Sequence, residues 1–349
     1  MQTKLYWSTW VAILSIPSFL LTACGSVPVG QFMPTLTNAP TRARSASPIP
    51  RQPIQTAAPV NPLAIAYLQA REYPPSDLVM EETLDAGSNY QRYIASYQSD
   101  GDRIYGLLTI PDKDSDLDGY AAIVLLHGYI PPESYVTTRD YVSSQDGLAS
   151  SGFVTFKPDM RGHGRSEGEA DGAHFSETYI VDTLHAISAL EAYEAVDPAR
   201  IGIWGHSNGG LIGLRAIVVT ERVKASVFWG GVVGSYTDML ETYYPQIDFL
   251  QRLAPPVITE HGLPSENPDY WNSIDPFAHL DAVSDPVEIH HGISDSDVPV
   301  ELSVSLYMAL RDAGREATLF TYPGAGHNFY GETFDEAMRR TVTFFQKHL

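Results

Sequence analysis

The run Arg200-Ile201-Gly202-Ile203-Trp204-Gly205-His206-Ser207-Asn208-Gly209-Gly210 decides how this chain is read. It opens on apolar residues (Ile201, Ile203, Trp204) that have the character of a buried strand. It then passes through G-x-S-x-G at Gly205, Ser207 and Gly209. Leu211, Ile212, Leu214, Ala216, Ile217 and Val218 follow as an apolar, helix-compatible stretch. Strand, sharp turn and helix together are the setting in which a serine is held on a strained backbone and presented as a nucleophile. Flanking glycines remove the bulk such a turn excludes. Ser207 Oγ is therefore expected at the carboxyl end of a sheet, beside a helix N-terminus that favours developing negative charge. A second match, Gly164-Arg165-Ser166-Glu167-Gly168, lacks that setting. Residues 159–163 separate it from the preceding strand, and no apolar helix follows.

A serine hydroxyl needs a base within hydrogen-bond reach, and the base needs an acid to fix its tautomer. Asp295 and His327 each follow an apolar run (287–290 and 317–322), so each is expected in a loop past a strand's carboxyl end. In a doubly wound sheet such ends meet along one edge. The order Ser, Asp, His is that of the hydrolases built on this elbow. On spacing alone Asp297 serves as well as Asp295. The backbone N–H groups of Tyr129, after the continuous apolar strand 121–126, and of Asn208, directly after the nucleophile, are the candidate oxyanion hole. His127 is read as shaping its loop by hydrogen bonding.

The remaining periodicity alternates strands with helices. Residues 63–73 suggest a short helix stopped by Pro74-Pro75, and Glu81-Glu82 a solvated turn. Residues 90–98 and 104–110 suggest an antiparallel hairpin at a sheet edge. A helix follows at 141–151 and a strand at 153–157. The helix around 180–190 is taken to end at Asp197-Pro198, and a further strand spans 225–229. Periodicity is lost over 230–285, which reads as a small cap whose aromatics line a substrate pocket or form the cap's own core. It resumes with a helix at 300–313 and a closing helix at 333–348. The expected fold is α/β, a mostly parallel doubly wound sheet.

The chain has 349 residues and a formal net charge of -20, with 22 basic and 42 acidic residues. Lys4, Arg42, Arg44 and Arg51 are the only charged residues in 1–70. The remainder therefore holds 18 basic and 42 acidic residues, a net of -24. Nucleic acid, which needs a basic face, is disfavoured as a partner. Asp114-x-Asp116-x-Asp118-Gly119 begins like a calcium loop, but its twelfth position is Leu125 inside an apolar strand, so no metal site is expected.

Cys24 is the only cysteine. It follows Lys4, an apolar run over 11–23, and Leu21-Thr22-Ala23. This resembles a bacterial lipoprotein signal, which implies cleavage of 1–23, lipidation of Cys24 and an extracytoplasmic, membrane-anchored enzyme. Residues 24–62, rich in Pro, Ala, Thr and Ser and free of acids, read as an extended tether. The catalytic region is expected over 63–349.

From about Tyr90 onward the chain resembles the prolyl oligopeptidase (S9) type of α/β hydrolase. The resemblance is carried by Ser99-Asp100-Gly101, His127-Gly128, Gly205-His206-Ser207-Asn208-Gly209-Gly210, His291-Gly292-x-x-Asp295-x-x-Val298-Pro299 and Gly326-His327. The H-G-x-x-D-x-x-V-P run places the acid on Asp295 rather than Asp297. Dienelactone hydrolases and acyl esterases share much of the pattern. It implies a serine hydrolase acting on small peptide or ester substrates without metal or cofactor. Blades of ~40 residues leave no room for a β-propeller before Tyr90. No convincing Glu-Glu pair for a free peptide N-terminus is seen. A binding protein on an inactive scaffold is the reading from another class, and retention of all three residues argues against it.

Overall fold

The computed structural model describes residues 61–112 and 119–349, all within one unit spanning Ala57–Leu349. The expected signal, Cys24, the tether up to residue 60, and Asp114, Asp116 and Asp118 lie outside the described residues. Nine strands form one sheet: β1 (Val79–Leu84), β2 (Tyr90–Ser99), β3 (Asp102–Pro111), β4 (Tyr120–Leu126), β5 (Val154–Pro158), β6 (Val196–His206), β7 (Val223–Trp229), β8 (Val287–Gly292) and β9 (Ala317–Tyr322). Their order is β1-β2-β3-β5-β4-β6-β7-β8-β9. From β5 to β9 every neighbouring pair is parallel, while β1, β2 and β3 join antiparallel.

The helices are α1 (Ile65–Ala70), α2 (Val142–Ala149), α3 (Thr178–Glu191), α4 (Asn208–Val219), α5 (Asp248–His261), α6 (Pro268–Ile274), α7 (Val300–Asp312) and α8 (Gly331–His348). Strand β4 shows why the sheet needs helices on both faces. Ala122, Val124 and Leu126 feed the core that holds Ile180 and Leu184 of α3, Ile212 and Leu214 of α4 and Leu306 of α7. Their neighbours Ala121, Ile123 and Leu125 pack with Leu148 of α2 and with Ala337, Met338 and Phe345 of α8. Successive side chains of a strand point to opposite faces, so a strand buried on both sides reads as an unbroken apolar run.

Three details depart from the sequence expectation. Glu81 and Glu82 lie not in a turn but in β1, which pairs with β2 from Val79↔Ser96 to Leu84↔Arg92. Glu81 accepts a hydrogen bond of 2.6 Å from Ser96 Oγ. The β2–β3 hairpin is therefore not at the edge, because β1 flanks it. Helix α3 ends at Glu191, and Asp197-Pro198 already belongs to β6, whose Val196 pairs with Tyr120. Residues 230–285 fold into α5, α6 and shorter turns around Val232, Tyr236, Met239, Leu240 and Trp271, which form a buried cluster with Leu63, Val298 and Leu302.

Helix α4 lies very close to β4 at its first turn. A Cβ on Gly209 would stand 1.9 Å from the backbone oxygen of Leu126. Backbone cannot yield there as a flexible side chain would. Gly209→Ala should therefore destabilise the protein by about 3 kcal/mol or more, at or above the upper end of ordinary overpacking costs, read as a lower urea midpoint.

Candidate active site

Ser207 sits between β6 and α4 with φ 55° and ψ -121°. A non-glycine residue there costs on the order of 1–3 kcal/mol and persists only where its surroundings over-determine it. The surroundings do so through hydrogen bonds. Ser207 N–H donates to Trp229 O at 3.1 Å, and Ser207 O accepts from Gly210 N at 2.9 Å and from Val232 N at 3.0 Å. As the first residue of α4, Asn208 has a backbone N–H with no intrahelical acceptor. Its side-chain Oδ1 lies 3.1 Å from His174 Nε2.

Asp295 and His327 arrive from the loops after β8 and β9. His327 Nδ1 is 2.8 Å from Asp295 Oδ2, and Asp295 Oδ1 accepts from the N–H groups of Asp297 and Val298, both at 2.9 Å. His291 Nε2 reaches the same Oδ2 at 3.1 Å. Burial alone would raise the Asp295 carboxyl. The hydrogen bonds from His291, His327 and the Val298 N–H outweigh it and hold the group well below the usual carboxylate range. Of the two acids left open by spacing, Asp295 contacts His327. Asp297 lies with Ser207 and His327 on the wall of a cavity of about 510 Å³, joined from the 230–285 segment by Gln246, Asp248 and Arg252.

Tyr129 lies on the same wall, in the loop after β4. The preceding Gly128 leaves space that nothing else could: a Cβ there would stand 2.9 Å from Ser207 Cβ and 2.5 Å from the Tyr141 hydroxyl. The loop is tied to β5 by a buried polar knot. Lys157 Nζ donates to Tyr135 OH at 2.8 Å and to Thr137 O at 2.9 Å, and Tyr135 OH donates to Asp159 Oδ1 at 2.8 Å. Burial pushes the Lys157 ammonium down to about 8 and the Asp159 carboxyl up. His127 Nδ1 lies 2.8 Å from Gly128 O and its ring stacks on Tyr135 at 4.7 Å.

Sequence reasoning gave no role to His206 or to the His291 side chain. His206 Nε2 lies 3.0 Å from His327 O, which only accepts, so that nitrogen carries the proton. Its Nδ1 then accepts from the Tyr141 hydroxyl at 2.7 Å. Burial pushes His206 down to about 4. Its neutral ring joins the turn before Ser207 to the loop that carries His327. His291 Nδ1 lies 2.6 Å from Ser303 Oγ, which turns Nε2 towards Asp295. Both residues stand inside quoted motifs, but their partners are remote in sequence. The alternative serine, Ser166, is occupied structurally, since its Oγ accepts from Tyr105 N at 2.9 Å. Tyr236 and Trp271 belong to the buried cluster of their own segment rather than to the cavity wall.

Comparison with known proteins identifies the family. The family model described as "Prolyl oligopeptidase family" matches residues 140–349. An uncharacterized peptidase of Bacillus subtilis, YtmA, is 31% identical over 238 residues, which cover 68% of this chain and 86% of that protein. The esterase YjfP of Escherichia coli is 28% identical over 258 residues, covering 69% and 92%. An acetyl xylan esterase from Paenibacillus sp. R4 superimposes with a TM-score of 0.62 at 18% identity, covering 82% and 92%. On several solved peptidases the chain superimposes over 36% to 42% of their length. With its α/β-hydrolase sheet and these relatives, the chain belongs to the prolyl oligopeptidase family and is a serine hydrolase.

Proposed function

We propose that the protein cleaves peptide or ester acyl bonds through an acyl-enzyme on Ser207. His327 Nε2 takes the serine proton as Oγ bonds to the carbonyl carbon. It returns that proton to the leaving nitrogen or oxygen as the carbonyl–heteroatom bond breaks. Water then attacks the acyl-enzyme, again giving its proton to His327, and Ser207 leaves with a proton restored. Asp295 fixes the tautomer of His327 and stabilises the imidazolium. The N–H groups of Asn208 and Tyr129 receive the developing oxyanion. The observation that carries the reading is the 2.8 Å contact of His327 Nδ1 with the buried Asp295, which leaves Nε2 for the cavity shared with Ser207.

The decisive assay compares a p-nitrophenyl acyl ester with an aminoacyl or prolyl p-nitroanilide, in wild type and Ser207→Ala. Anilide cleavage lost in the variant establishes a peptidase. Ester cleavage alone, likewise lost, establishes an esterase. Activity surviving in Ser207→Ala overturns the nucleophile. Asp295→Asn should leave the fold intact and lower kcat by about 10³–10⁴-fold, because the imidazole adopts the wrong tautomer.

His206 gives a third expectation. Displacing a catalytic group by about 1 Å costs up to about 100-fold. His206→Phe, which releases the His327 carbonyl, should therefore lower kcat by roughly 10- to 100-fold with KM little changed. His206→Gln retains a side-chain donor and should recover most of that loss in the same kinetics. Equal losses in both variants would assign His206 to packing alone.

A further inference from the structure

Two cavities share Tyr129 on their walls, one reaching Ser207 and the other its neighbour Asn208, and they differ in character. The larger, about 510 Å³, has Ser207 and His327 on its wall together with the charged Asp248, Arg252 and Asp297. The smaller, about 230 Å³, has Asn208 on its wall with Met160, Ala170, Tyr179, Ile212 and Leu253. Tyr129 belongs to both. Of the three histidines on the smaller cavity's wall, burial pushes His127 down to about 3 and His174 down to about 4, so these two add no charge near neutral pH. Both ring nitrogens of His163 are turned to backbone carbonyls, Arg161 O at 3.2 Å and Ile130 O at 3.1 Å. Its carboxylate, Asp171, is engaged by Ser176 Oγ at 2.7 Å and by Thr178 Oγ1.

Acyl transfer sorts these two spaces, given the reading of Ser207 and His327 proposed above. The tetrahedral carbon on Ser207 Oγ carries three further substituents: the oxyanion, the leaving group and the acyl chain. The oxyanion faces the N–H groups of Asn208 and Tyr129. The leaving atom receives its proton from His327 and so lies in the cavity that His327 borders. The acyl chain is left to the other side of Tyr129, where Asn208 borders the smaller cavity.

We propose that the 230 Å³ cavity is the acyl-binding site and selects apolar acyl groups. An apolar cavity of about 150 Å³ holds benzene. By that measure this one takes about four to eight carbons, a phenyl ring included. A charged acyl group would give up much of its hydration there, and the one carboxylate on the wall, Asp171, is already held by two hydroxyls. A much longer chain would outrun the space.

The test measures kcat/KM for p-nitrophenyl acetate, butyrate, hexanoate, octanoate and dodecanoate. It uses wild type, Ala170→Phe and Leu253→Trp. Ala170 and Leu253 are both solvent-exposed, so added bulk narrows the cavity without entering the core. The wild-type profile should peak between butyrate and octanoate. In at least one variant the hexanoate-to-acetate ratio should fall about tenfold or more, the scale on which a pocket discriminates one or two methylenes. Unchanged ratios in both folded variants, or a wild-type optimum at acetate or dodecanoate, would overturn the assignment. Fluorophosphonate labelling separates this failure from failure of the underlying reading. A labelled Ser207 with an unaltered chain-length profile overturns only the acyl site. An unlabelled, inactive wild type overturns the hydrolase mechanism itself.

Discussion

The strained backbone of Ser207 is the constraint on which the rest of the site depends. A positive φ at a serine is unfavourable in isolation. Here both backbone polar groups are bound, the N–H to the end of β7 and the carbonyl to Gly210 and Val232. The turn is therefore held by the next strand and by the helix that follows it, not by its own residues. Such a turn requires α4 to approach β4 more closely than any side chain would permit, and Gly209 supplies that approach. The same geometry sets the N-terminus of α4 beside Ser207, so in the proposed mechanism one distortion both presents the hydroxyl and supplies a field for the oxyanion.

Around this turn the protein uses histidine in two ways. His327 meets a carboxylate in the arrangement a base requires. His127, His174 and His206 are pushed down by burial and act as neutral polar spacers near pH 7. A neutral imidazole offers one donor and one acceptor on a rigid ring. His206 can thus link the Tyr141 hydroxyl to the His327 carbonyl without adding a cation that would compete for Asp295. The Lys157–Tyr135–Asp159 knot does similar work for the loop of Tyr129. Buried polar networks of this kind fix position when their members are satisfied.

Much of this was legible in the sequence, for identifiable reasons. The run 121–126 and the elbow that starts at Arg200 carry local patterns that their buried surroundings enforce. The loops of Asp295 and His327 announce themselves by following apolar runs. Strand β1 escaped because Val-Met-Glu-Glu-Thr-Leu has no apolar alternation of its own, and it is a strand because β2 offers it a hydrogen-bonding edge. Asp197-Pro198 looked like a helix stop, yet Val196 is already drawn into the sheet by Tyr120. The role of His206 was hidden because its partners, Tyr141 and His327, lie 65 and 121 residues away. Periodicity reports which face of an element is buried. It does not report which distant polar group will meet a given side chain.

Ester and amide cleavage place different demands on the leaving-group side. An amine expelled from the tetrahedral adduct must be protonated as it departs, whereas an alkoxide or phenolate leaves more readily, so geometry at His327 weighs more heavily on amides. The His327 loop is held at two points, Asp295 on the side chain and His206 on the backbone carbonyl. The cavity beyond it is built by Gln246, Asp248 and Arg252 from one segment and by Asp297 and Val298 from another. The apolar space across Tyr129 draws mainly on residues 160–179. On the mechanism proposed for Ser207, acyl-side and leaving-side recognition rest on largely different stretches of chain. Either can change by loop substitution while the strained turn and its histidine supports stay as they are.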